Sequence, residues 1–139
     1  MLDAYIVAVS RSAGAKKNGA LSQWHPADLG AAVVDDVITK AGIPPHAIDD
    51  VIIGCVSQIG AQSGNVGRSI VLSSRLLPLS VPGTTVDRQC GSSQQALHFA
   101  TQAVASATAD VIIAGGVECM SSIPIGSSIM DGVAAGRGQ

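Results

Sequence analysis

The sequence predicts an α/β fold in which buried strands alternate with helices joined by right-handed crossovers. Three observations carry that reading. Apolar runs at residues 51–56 and 111–114 lack alternation, the pattern of strands buried on both faces. Segments with apolar side chains at helical spacing lie between them, so strand and helix alternate along the chain. A length of 139 residues supplies core for about one domain.

Each element follows from local chemistry. Residues 4–9 (AYIVAV) form a short apolar run that predicts a first strand, followed by a polar loop over 11–25. Pro26 suits the first turn of a helix, and Leu29, Val33, Val37 and Ala41 recur every four residues until Gly42 and Pro44-Pro45 stop it. Residues 51–56 (VIIGCV) predict a buried strand. Residues 65–77 predict a helix closed by Pro78 and Pro82, and 84–87 a brief strand. Over 90–107, Ala96, Ala100, Ala103, Val104 and Ala107 make a stripe of small side chains, which predicts a central helix packed closely on both sides. Residues 111–114 predict another buried strand with a tight exit at Gly115-Gly116. After Met120 this patterning gives way to Gly, Ser and Pro, which places a domain boundary nearby. The sequence stops in a Gly-rich stretch, as a fragment would.

Composition excludes several classes. Charged residues are 13% of the chain against about 25% in an ordinary soluble domain, while hydrophobic residues reach 47%, so this is no disordered tail. So little charge on so small a unit implies that something else covers part of its surface. A net charge of -2 and three aromatic residues offer neither phosphate neutralisation nor a stacking platform, which argues against nucleic acid as partner. No apolar run approaches 18 residues, so no membrane span is expected. The opening MLDAYIVAVSRS has its first basic residue after the apolar run, unlike a secretory signal, and a cytoplasmic location is expected. Three cysteines, at 55, 90 and 119, without C-x-x-C spacing argue against a disulfide framework and a zinc site.

The segment Val86-Asp87-Arg88-Gln89-Cys90-Gly91-Ser92-Ser93 carries a cysteine from a strand end into the first turn of the long helix. A thiol there meets unpaired N–H groups and the positive end of the helix dipole, which favour the attacking thiolate and could hold an oxyanion. Gly91 would allow close approach of a substrate. The competing reading is that Cys90, like most cysteines, is a small buried hydrophobe. Cys55 reads as inert inside a strand, and Cys119 as a packed loop thiol. A base is hard to find: His98 lies eight residues along the same helix, about 12 Å up the axis, and His25 and His46 sit in loops next to prolines. Arg88 and Asp87 read as structural, as does Glu118, a buried partner or cap. Gly14 to Gly19 lacks the Lys and Ser/Thr of a P-loop, and no G-x-G-x-x-G, H-E-x-x-H or G-x-S-x-G occurs.

Three segments, AVSRSAGAKKNGAL, VDRQCGSSQQA and GGVECMSSIP, together resemble the thiolases, the acetyl-CoA acetyltransferases and 3-ketoacyl-CoA thiolases, in the family's own order. The resemblance implies the N-terminal half of a layered α/β/α thiolase-like fold with a mixed, mainly parallel sheet and a buried central helix, with residues 1–120 as the catalytic domain and 121–139 as the truncated start of an inserted loop domain. It implies that Cys90 is the acyl-accepting nucleophile and that its backbone N–H is one oxyanion donor. Ser93-Gln94-Gln95 departs from the usual Gly-apolar-Gln. The activating Gly-His-Pro histidine, the Asn-Glu-Ala-type segment, the Cys-x-Gly-Gly-Gly cysteine and most of the CoA-binding loop have no counterpart, so these residues alone look inactive. The implied chemistry is ping-pong acyl transfer to CoA or acetyl-CoA, with CoA thioesters as substrates, no metal or redox cofactor, and a homodimer or homotetramer. Two other readings stand beside it: a ketosynthase-type condensing enzyme, and a truncated non-catalytic paralogue acting in subunit assembly.

Overall fold

A computed structural model of the protein describes residues 2–137. Its elements are α1 (Pro26–Ala41), β1 (Asp50–Gly54), α2 (Val66–Ser73), β2 (Gly83–Val86), α3 (Ser92–Ala105), β3 (Ile112–Gly116) and α4 (Ser127–Ala134), in that order. The described strands all run parallel, in spatial order β2-β1-β3. Along the central β1, Val51 and Ile53 point into a core shared with Val34 and Ile38 of α1 and Ile70 and Val71 of α2. Ile52 points the other way, onto Ala96 and Ala100 of α3. Period-two alternation on one strand thus feeds two helical layers, which is why its sequence is apolar throughout.

α1 begins where His25 Nδ1 accepts the Ala27 N–H at 3.3 Å, and ends at Gly42, whose φ of 64° lets its N–H reach the carbonyls of Ile38 and Thr39. Its buried face is Ala27, Ala31, Val34 and Ile38. The stripe read from the sequence, Leu29 to Ala41, lies beside that face and is half-buried. The small residues face inward because α2 comes close: a Cβ on Gly30 would stand 2.4 Å from Ile70 Cδ1.

α2 stops at Ser73, short of the expected 77. A carboxylate turns the chain out there. Asp35 of α1 accepts both the Ser74 hydroxyl and the Arg75 N–H, and Ser74 Oγ accepts the N–H groups of Leu76 and Leu77.

The first expected strand does not form. Residues 4–9 join no strand ladder, Tyr5 is 80% exposed, and a cleft of about 570 Å³ is lined by residues 3–10 on one side and 111–114 on the other. Apolar β-branched sequence becomes a strand only against a neighbouring edge, and the cleft denies it one. The second departure concerns α3. Its Ala96 and Ala100 face is buried on the sheet, whereas Leu97 and Phe99 are 41% and 42% exposed, so the described residues cover one side of this helix, not both. The third is α4, unforeseen in a Gly- and Ser-rich stretch; it leaves Ile129 and Met130 exposed.

Asp35 satisfies two donors that have no carbonyl opposite, so Asp35→Ala is expected to cost about 1–3 kcal/mol, read from the urea midpoint at unchanged slope; an unchanged midpoint would discount the cap.

Candidate active site

The site is built on two glycines. β1 and β3 both end in glycine, and the pairing register sets Gly54 directly beside Gly116. A Cβ on Gly54 would stand 2.3 Å from Ser92 C and Ser93 N, and one on Gly116 would stand 2.7 Å from Ser93 Cβ. The first turn of α3 therefore rests on bare strand backbone. No other residue type leaves room for that approach.

The turn leading into α3 is held by its own side chains. Asp87 Oδ1 accepts the Gln89 N–H at 2.7 Å. Ser92 Oγ accepts the Arg88 N–H at 2.9 Å and donates to the Gln89 carbonyl at 2.6 Å, and the Gly91 N–H reaches the Arg88 carbonyl at 3.1 Å. These bonds hold Gln89 at a φ of 50°, a left-handed conformation that costs a non-glycine residue about 1 kcal/mol. The product is an exposed Cys90 at the tip, one residue before Gly91, the N-cap, and two before the first helical residue. The sequence had placed it inside the first helical turn. Its backbone N–H finds no acceptor of hydrogen-bond geometry among the described residues. A Cβ on Gly91 would meet the Arg88 carbonyl oxygen at an ordinary 3.5 Å, so packing does not demand that glycine; its bareness leaves Cys90's flank open.

The other thiols are different. Cys55, 1% exposed, follows β1 and donates its N–H to the Val86 carbonyl. Burial first, then the Glu118 and Asp87 carboxylates, push its thiol from an ordinary 9.0 up to about 12. Cys119 is raised by burial and then by Glu118. All three cysteines are free.

The remaining candidates are placed as follows. His25 caps α1, His46 lies in a short 3₁₀ turn (Pro45–Ala47), and His98 sits exposed on α3; none hydrogen-bonds Cys90. Arg88, read as an ion-pair partner, is exposed; among the described residues the one ion pair is Lys40 with Asp36. Asp87 and Glu118 are structural, as read. Glu118 accepts the N–H groups of Val56 and Ser57 and the side-chain amide of Gln62. Gln62 escaped the sequence reading, because nothing about a lone glutamine in a polar stretch marks it as fully buried. Clefts of about 570 and 580 Å³ lie beside residues 3–10 and beside residues 12–17, and Cys90 lines neither.

Three outcomes are expected. Iodoacetamide at pH 8 should alkylate Cys90 of the native chain and spare Cys55 until denaturant is added, as peptide mass spectrometry would show. Between about pH 9 and 12 the unfolded chain releases the Cys55 proton while the native chain keeps it. Stability should therefore fall as pH rises through that window, by up to about 1.4 kcal/mol per pH unit, and less in Cys55→Ala; equal slopes would refute the assignment. Separately, Gln89→Gly should be neutral or stabilising by up to about 1 kcal/mol and Gln89→Val destabilising, as thermal melts would resolve.

With this geometry in hand, comparison with known proteins is specific. The family model described as thiolase, N-terminal domain, matches residues 4–138. A steroid 3-ketoacyl-CoA thiolase, FadA6, of Mycobacterium tuberculosis is 52% identical over 95% of this chain and 32% of its own length. A 3-oxoadipyl-CoA/3-oxo-5,6-dehydrosuberyl-CoA thiolase of Escherichia coli is 40% identical over 89% of this chain and 31% of its own. The crystal structure of the Bacillus anthracis acetyl-CoA acetyltransferase superposes with a TM-score of 0.80 at 35% identity, over 86% of this chain and 30% of that one. The chain thus spans about a third of the length of these relatives. The family match covers nearly all of it: the chain belongs to the thiolase family and carries its N-terminal domain.

Proposed function

We propose that Cys90 is the acyl-accepting nucleophile of a thiolase-type acyltransferase. The observation that supports this most is the pinned turn: an exposed thiol beside an unpaired backbone N–H, at the mouth of a helix seated on two glycines. In the first half-reaction the Cys90 thiolate attacks a 3-ketoacyl-CoA or acyl-CoA carbonyl. The tetrahedral oxyanion is held in part by the Cys90 N–H. Its collapse leaves the acyl group on sulfur and expels acetyl-CoA, as its enolate to be protonated, or CoA as thiolate. In the second half-reaction CoA thiolate takes the acyl group, which is thiolysis, or the carbanion of acetyl-CoA does, which is condensation.

The proton acceptor for Cys90 and the proton donor for the departing carbanion belong to sequence outside these 139 residues, matching the relatives' greater length. Residues 121–139 open the inserted loop domain in this reading, and the whole protein works as a homodimer or homotetramer. Three free thiols suit a reducing, cytoplasmic setting. The name of the 52% identical relative puts ring-derived 3-ketoacyl-CoA thioesters first among substrates to assay.

The enzyme in its full length, incubated with acetyl-CoA, should gain one acetyl group, located on Cys90 by peptide mass spectrometry. Cys90→Ser should lower turnover by about 10³-fold or more. The 139 residues alone should give negligible thiolysis of acetoacetyl-CoA. Acetylation at another residue, or retained activity in Cys90→Ser, would overturn the reading.

A further inference from the structure

Beyond the paired glycines, the β1 and β3 backbones share one more rung, from the Val117 N–H to the Gly54 carbonyl at 3.0 Å, and then diverge. The N–H groups of Val56 and Ser57 find no carbonyl opposite. Glu118 takes both, through Oε2 at 2.9 Å and Oε1 at 3.3 Å. Gln62, with no exposed surface, completes the crossing. Its Nε2 donates to Glu118 Oε1 at 2.9 Å and to the Ser57 carbonyl at 2.8 Å, and its Oε1 accepts the Cys119 N–H at 2.7 Å. The carboxylate is met by N–H donors, not by a cation.

This strap joins the two strand exits immediately behind the floor under Ser92 and Ser93. It also reaches the other side of the cysteine turn. Cys55, between Gly54 and the strapped Val56, donates its N–H to the Val86 carbonyl at 3.0 Å, one residue before Asp87. A shift in the β1 exit would thus move both the strand that enters the turn and the glycine on which the turn ends. Clearance at that glycine is smaller than a methyl group, so the shift has no slack to absorb it.

We propose that Glu118 and Gln62 are positioning residues for Cys90: the strap between them locks the ends of β1 and β3 into the register that seats the Cys90 turn. Its meaning for catalysis rests on the reading of Cys90 as acyl acceptor, but its structural content can be tested without it. The variants are Glu118→Gln, which sets an amide NH₂ against backbone donors, and Gln62→Asn, which shortens the strap by one methylene while still burying an amide. Asp35→Ala removes a comparable carboxylate cap remote from the turn and is the control.

Amide hydrogen exchange of Gly91 and Ser92, whose N–H groups donate to Arg88 and Gln89, should quicken by about tenfold or more in both strap variants. Acetylation of Cys90 by acetyl-CoA in the full-length enzyme should slow about tenfold, because the thiol and its N–H are held less often in the reactive geometry. Asp35→Ala should lower the melting temperature while changing neither. Unchanged exchange and acetylation in a folded strap variant, or the same changes in Asp35→Ala, would overturn the proposal. Should wild-type enzyme take its acetyl group elsewhere, the catalytic reading fails, while the exchange result still decides whether the strap seats the turn.

Discussion

The constraint on which this structure depends is a contact with no side chain on one side of it. Where β1 and β3 end, Gly54 and Gly116 lie in register, and the first turn of α3 descends onto their backbone. A single added carbon would force the helix off the sheet. Everything that gives Cys90 its character follows from that closeness: the helix start is fixed in height, Ser92 is driven into contact range of the turn, and the cysteine is carried to the tip rather than into the core.

A second theme is the use of very few charges. The chain has ten acidic residues, and several of them accept backbone N–H groups where a helix or strand ladder stops, Asp49 at the Asp110 and Val111 N–H groups among them. Asp35 caps the exit of α2, Asp87 pins the cysteine turn, and Glu118 takes over from the β1–β3 ladder. Each replaces a missing carbonyl with a carboxylate oxygen, a stronger acceptor than the one it stands in for. Glu118 and Asp87 also add negative potential near Cys55, which with burial keeps that thiol neutral. The same economy that orders the backbone leaves Cys90 as the exposed thiol.

Much of this was legible in the sequence because it depends on local pattern. The apolar run at 51–56 announced a doubly buried strand, and Pro26 with Gly42 bracketed α1 to the residue. Cys90 stood out through its place between strand and helix, and the thiolase resemblance through three ordered segments. What escaped reading depends on contacts distant in sequence. Whether residues 4–9 form a strand is decided by the edge they meet, and the cleft beside β3 leaves them without one. The end of α2 is set by Asp35, nearly forty residues away, and the strap by Gln62 and Glu118, separated by 56 positions. α4 was hidden by the small residues around it. The inner face of α1 was misread by a fraction of a turn because Gly30 and Ala31, weak hydrophobic signals, occupy the closest helix contact.

The exposed apolar side of α3, with Leu97 and Phe99, matches relatives about three times as long as this chain, in which further polypeptide accompanies this domain. The seated turn presents Cys90 and its own N–H to an acyl group together. A crystal structure of the full-length enzyme with an acetyl group on Cys90 tests it most directly. The thioester carbonyl oxygen should lie within about 2.7–3.1 Å of the Cys90 backbone nitrogen, with Ser92 and Ser93 still resting on Gly54 and Gly116. An acetyl oxygen turned away from that nitrogen, or a turn lifted off the glycine floor, would contradict it.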